Sequence, residues 1–366
     1  MNLERQIRRL LTLEVVGYFR PAGCIWVLLL ANRGFTLAEI GLAEGFFHLV
    51  SLCCEIPSGM LADLLGRRRA LAIGQLMGAL AALTMIFSRA MAGVCLCMGL
   101  LAASYNLASG TREAISYDSL LLHGAEGEYL KLSSRQNMVY RLTTGAAMLC
   151  AGVTAALGYR LGYALDILFA LAGAGVALSL HEPLVTEGQR AGAQAGLHAF
   201  PRRLGAHIRA TAAFLHQSPK SVRLMLFNAA AGAFATLLGF YLQDGLARAG
   251  APAASLGLLL VAVGLGGAAG SRLAPWLARL SYRSAAMLTC AGVLCGYLMV
   301  ATAFAPVMAL GGFLAVAGDD ALQTLTDARL NQGLPSDQRS TLISVSSMCF
   351  SVVMLVLSPL AGTLAG

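Results

Sequence analysis

The sequence predicts an all-α polytopic membrane protein, and three observations carry that expectation. Hydrophobic residues make up 57% of the 366-residue chain and charged residues only 12%, about half the charged share of a soluble globular protein. Apolar stretches long enough for a helix to cross the ~30 Å hydrocarbon layer recur along the whole length. Forty-one glycines among many alanines suit helices packed in lipid, where small side chains let backbones approach closely. A water-soluble enzyme, a disordered chain and a disulfide scaffold are excluded on these grounds.

Eleven stretches are readable in order. The first, 11–31, follows Arg5, Arg8 and Arg9 in the manner of a signal peptide. It is too long for one, holds Glu14 and Arg20 and lacks a small-residue cleavage site, so it is expected to stay as a span. Stretches 38–62 and 70–88 are separated by Gly66 and the triplet Arg67, Arg68 and Arg69, and 91–116, 136–157 and 161–180 complete a first group. The stretch His181 to Lys220 is polar, with Leu197, Phe200, Leu204, Ile208, Phe214 and Leu215 spaced among arginines, and reads as a linker holding a basic amphipathic helix at the membrane surface. Stretches 223–247, 253–278, 285–304, 307–328 and 341–363 form the second group. The expected organisation is a six-helix bundle over 1–180, a cytoplasmic linker over 181–222 and a bundle over 223–366 in which five spans are readable.

Charge fixes an expected orientation. With the N-terminus cytoplasmic, 21 of the 26 lysines and arginines fall in or beside segments on the cytoplasmic side. That asymmetry accounts for the net charge of +8 without a nucleic-acid partner. The nine cysteines lie within apolar runs, and no Cys/His cluster has metal-ligand spacing, so neither a metal nor any other cofactor is expected. No HExxH, Walker, GxSxG or dinucleotide motif is present, which points away from an enzyme and, lacking an ATP site, to a gradient as the energy source.

The two groups also read as degenerate copies in one orientation. Gly110, Tyr117, Asp118, Ser134 and Arg135 have counterparts in Gly318, Thr326, Asp327, Arg339 and Ser340. The sharpest local signal is Gly59-Met-Leu-Ala-Asp63-Leu-Leu-Gly66-Arg67-Arg68-Arg69 between the second and third stretches. This resembles motif A of the major facilitator superfamily, and Glu55-Ile-Pro-Ser-Gly ahead of it resembles a variant found in one set of these transporters. The resemblance implies two bundles that rock about a central cavity, a gating role for Gly59, Asp63, Gly66, Arg67, Arg68 and Asp118, and twelve spans. With eleven readable, the second copy is one span short of that plan. A Gly-Pro-rich motif C, typical of many drug/proton antiporters in the superfamily, is missing from 141–158.

Ionisable groups inside spans are costly unless they face protein, water or a partner. Glu44, His48, Ser51 and Glu55 share one face of the second span, and Asp320, Gln323, Thr324, Asp327 and Asn331 form a stripe on the tenth. Ser340, Ser344, Ser347 and Ser351 do so on the eleventh. The candidates for proton coupling or for the substrate cavity are Arg20, Glu44, His48, Glu55, Asp320 and Gln323. Asp166 and Asp244 read as interfacial. The expected function is secondary active transport of a small organic compound by alternating access, coupled to protons and directed outward, in an inner or plasma membrane. Uptake of a polar metabolite and a transport-inactive membrane scaffold or receptor are the alternatives.

Overall fold

The computed structural model describes residues 2–183, 200–333 and 339–365, so residues 184–199 of the expected linker lie outside the described residues. Every regular element among the described residues is helical. α1 (Leu3–Tyr18) begins on Asn2, whose side-chain oxygen accepts from the Arg5 N–H at 2.9 Å. Pro21 and Gly23 interrupt the first span, which resumes through a 3-10 turn as α2 (Trp26–Ala31) at a bend of 47°. α3 (Leu37–Leu65) opens with a capping box: Thr36 Oγ1 accepts from the Glu39 N–H, and Glu39 Oε2 accepts from the Thr36 N–H at 2.8 Å. Gly66, at φ +90°, turns the chain into α4 (Arg67–Phe87). Gly110, at φ +71°, separates α5 (Met91–Ala108) from α6 (Thr111–Leu121).

α7 (Tyr129–Leu149), α8 (Ala151–Leu157) and α9 (Tyr159–Ser179) follow, then α10 (Phe200–Gln217) and α11 (Pro219–Arg248). The chain ends in α12 (Ala253–Leu277), α13 (Tyr282–Val300), α14 (Ala305–Gly333) and α15 (Arg339–Ala365). Among the described residues nine helices are long and apolar enough to cross a membrane, or ten with the bent α1/α2 pair as one span. The count of eleven is therefore not confirmed. The difference is the expected span 136–157: α7 carries Lys131, Arg135 and Arg141 and ends at Leu149, and the rest of the stretch is the separate short α8.

Contacts divide the chain into two compact units that do not follow chain order. Unit 1 comprises Met1–Cys24, Leu49–Ala147 and Tyr159–Ala210, with α4 packed on α5 and α9 and α1 on α9. One cluster of its core joins Leu10, Leu13, Leu71, Ala72, Ile115, Ala177 and Leu180. Unit 2 comprises Ile25–His48, Met148–Gly158 and Thr211–Gly366, in which α14 packs on α11, α12 and α13, and α11 on α15. Phe214 of α10 is buried there with Met225, Ala229, Leu330, Val345 and Cys349, so the end of the linker helix is tied to this core. Small residues set the closest crossings: a side chain at Gly266 or Gly270 of α12 would run into the Phe313 or Ala317 carbonyl of α14.

Candidate functional site

The Gly59 to Arg69 segment joins α3 to α4 and, with Glu182 and Pro183, encloses a cavity of about 190 Å³. Arg67 forms a salt bridge with Asp118 of α6, between side chains that are both largely buried. The Glu182 carboxylate accepts from the backbone N–H groups of Arg67 at 2.8 Å and Arg68 at 2.9 Å. It thereby caps the first turn of α4 with a full negative charge, where the helix dipole favours one. Asp63 and Arg69 are exposed and line the same cavity. Gly59 has open space around it, whereas a side chain at Gly66 would meet Glu182 at 3.1 Å.

Next to Glu182, the Gln6 side chain holds the backbone of His181 in both directions, donating to its carbonyl and accepting from its N–H, each at 3.0 Å. The start of the linker is thus pinned to α1 by one residue and to α4 by the next.

Deeper in unit 1, Arg112 of α6 gathers a network that sequence reasoning did not single out. Its guanidinium donates to Glu14 at 3.1 Å, to the Tyr18 hydroxyl and to Glu113 at 2.9 Å. Glu14 is only 1% exposed and also accepts from Gln136 of α7 at 3.2 Å. Tyr140 meets Tyr18 edge to face at 4.8 Å. Two signals were available in the sequence: an arginine two residues after Gly110, and a carboxylate inside the first span one turn before Tyr18.

Arg20 donates to Gln75 of α4 at 2.8 Å and to the Gly17 carbonyl at 3.1 Å. Asp166 of α9 is 3% exposed. Its two oxygens accept from the N–H groups of Ala22, at 3.2 Å, and Gly23, at 2.9 Å, in the break of the first span. Pro21 and Gly23 leave those N–H groups without helical partners, and a carboxylate from a neighbouring helix satisfies them. Glu55 is half-buried, within electrostatic reach of Tyr105.

In unit 2, Glu44 and His48 stand one turn apart on α3, 7% and 5% exposed, with His48 Nε2 3.2 Å from the Glu44 carboxylate. The other ring nitrogen of His48 lies 3.4 Å from Ser351 Oγ on α15, and Phe47 and Phe350 pack edgewise on the ring. Ser51, expected on the same stripe, belongs to unit 1, where Asn106 of α5 donates to its carbonyl at 3.0 Å. On α14, Asp320 is half-buried and Gln323 exposed. The preceding Asp319 faces α11, where a side chain at Gly232 would come within 3.1 Å of it.

Membrane-length helices with buried carboxylates, arginines and a histidine paired inside the spans define an integral membrane protein of the transporter class. The family model of the Major Facilitator Superfamily matches residues 22–359, and the chain belongs to that family. It is a transporter and not an enzyme. Its fold is similar to that of a mutant of the nucleoside transporter NupG, with a TM-score of 0.79 at 14% identity over 99% of this chain and 91% of that one. It is also similar to a D-xylose-proton symporter, with a TM-score of 0.68 at 12% identity over 97% and 87% of the two chains. A mutant of the peptide transporter POT gives 0.65 at 15% identity over 98% and 88%. No curated protein matches the sequence.

Proposed function

We propose that this protein moves a small organic compound across the membrane by alternating access, driven by protons and directed outward. The observation that supports the coupling is the Glu44/His48 pair, a carboxyl and an imidazole buried together inside a span at 3.2 Å. A carboxylate held in low dielectric is costly when charged alone, and an adjacent imidazolium offsets that cost, so proton loading at one residue is felt by the other. Glu14 with Arg112 is a second buried charge pair, and the tyrosines beside it, Tyr18, Tyr105 and Tyr140, offer ring faces and hydroxyls suited to a partly apolar compound.

By the same reading, Asp63, Arg67, Arg68 and Asp118 with Gly59 and Gly66 hold a gate, and the N-terminus lies in the cytoplasm. A reporter fused at residue 200 is expected to report inside. The test of function is purified protein in liposomes holding a pH-sensitive dye. Compounds that drive proton movement only in protein-containing vesicles support the reading, and the sign of that movement gives the direction. Substrate flux without proton movement removes the coupling. Failure of every compound that shifts the melting temperature to cross the membrane favours a binding-only scaffold.

A further inference from the structure

The ends of α11, α13 and α14 line an open pocket of about 310 Å³ in unit 2, formed by Lys220, Ser221, Leu224, Tyr282, Arg329 and Leu330. Its cations come from different helices, Lys220 from the first turn of α11 and Arg329 from the last turns of α14. The Arg329 guanidinium lies over the Tyr282 ring, 5.0 Å from its centre, and the Tyr282 hydroxyl is bonded to Thr326 Oγ1 at 2.9 Å. Ring and guanidinium are thereby held at the rim. Among the described residues neither Lys220 nor Arg329 has a carboxylate partner, and none of the lining residues is acidic. Asp327, two residues from Arg329 on α14, is not part of the lining. The Ser221 hydroxyl has no partner among the described residues either.

Cations from two helices without carboxylate partners, with a hydroxyl beside one of them, fit an anion that accepts from several directions at once. A tetrahedral phosphate does so, whereas a planar carboxylate offers two oxygens. Leu224 and Leu330 supply an apolar wall, and Leu330 also packs on Phe214 of the linker helix α10, so the wall continues into the element that joins the two sequence halves. Basic pockets between membrane helices at a charged surface are suited to phospholipid headgroups.

We propose that this cavity binds a phosphate-bearing anion, supplied either by a phospholipid headgroup or by phosphate in solution. The test measures the melting temperature of the purified full-length protein in neutral detergent. It is titrated with short-chain phosphatidylglycerol, with short-chain phosphatidylcholine, or with inorganic phosphate at constant ionic strength. Phosphatidylglycerol is expected to raise the melting temperature, and Lys220→Gln with Arg329→Gln to weaken its apparent affinity about 30-fold. Lys220→Arg with Arg329→Lys keeps the charge and should retain most of the shift. Arg89→Gln with Arg160→Gln removes the same charge elsewhere and should leave it unchanged.

A shift with phosphate as large as that with lipid, lost in the same double variant, assigns the site to a soluble anion. A shift with lipid alone assigns it to a headgroup. Equal shifts with both lipids, or a phosphatidylglycerol shift that survives in Lys220→Gln/Arg329→Gln, overturn the proposal. Should that variant not fold, an undiminished shift in the single variants Lys220→Gln and Arg329→Gln overturns it equally.

Discussion

Glu182 caps α4 through the backbone of Arg67, so the first residues of the linker and the Gly59 to Arg69 segment are one mechanical piece. Removing the carboxylate frees two N–H groups in the first turn of a helix, at a cost of about 1 kcal/mol for the cap. Glu182→Ala is therefore expected to speed hydrogen exchange at the Arg67 and Arg68 amides about fivefold, with little change in α9. Unchanged exchange there would show that the cap contributes nothing.

The Glu14 and Arg112 pair makes a sharper demand, because Glu14 is almost wholly buried. Breaking a buried pair leaves one charge uncompensated and costs about 3 to 5 kcal/mol, more than the pair itself contributes relative to neutral partners. Glu14→Gln alone should therefore melt well below the wild type, and Glu14→Gln with Arg112→Gln should recover part of the loss. A double variant as unstable as the sum of the two single variants would mean the residues are energetically independent.

Residues whose partners lie close in sequence, or inside a recognisable segment, were the legible ones. Gly66 and the arginines after it mark a tight turn whatever the fold, and Asp118 reads as a partner for Arg67 or Arg68, of which the structure selects Arg67. Glu44 and His48 are legible as neighbours because a helix brings residues four apart onto one face. Glu14, Arg112, Gln136 and Asp166 were not, since their meaning depends on which helices adjoin, and periodicity carries no information on that. Asp166 shows the difficulty: it reads as interfacial from the sequence, and its bonds to the Ala22 and Gly23 N–H groups depend on which helix adjoins the break in the first span. The span count is unconfirmed for a similar reason, because apolar content alone does not reveal that the stretch beyond Leu149 restarts as a separate helix.

The crossing of α3 and α15 gives a steric prediction within unit 2. A side chain at Gly41 would strike the Ser358 carbonyl, and one at Gly362 the Leu37 carbonyl, so the two helices touch backbone to backbone from both sides. Gly41→Val and Gly362→Val should each destabilise by about 1 to 3 kcal/mol, read as a lower melting temperature. At Gly59 nothing stands within reach of an added side chain, so Gly59→Ala should leave the melting temperature nearly unchanged. Equal effects at Gly41 and Gly59 would count against the close crossing.

The coupling proposal separates two contacts of His48 that differ in strength. Its contact with Glu44 at 3.2 Å joins two ionisable groups, whereas its contact with Ser351 at 3.4 Å is near the limit of a hydrogen bond to a neutral hydroxyl. If the pair carries the proton, Glu44→Gln with His48→Ala should abolish the acceleration of transport by an imposed pH gradient while leaving exchange without a gradient measurable. Ser351→Ala removes only the weaker contact and should preserve the gradient response, with transport within about twofold of the wild type. Vesicle flux with and without a pH step reads both variants in one assay. A double variant that still responds to the gradient excludes the pair as the coupler, and Glu55, Asp319 and Asp320 then become the next groups to replace. Loss of the response in Ser351→Ala as well would instead mean that the seam between α3 and α15 acts as a packed whole, with His48 serving to hold the helices together.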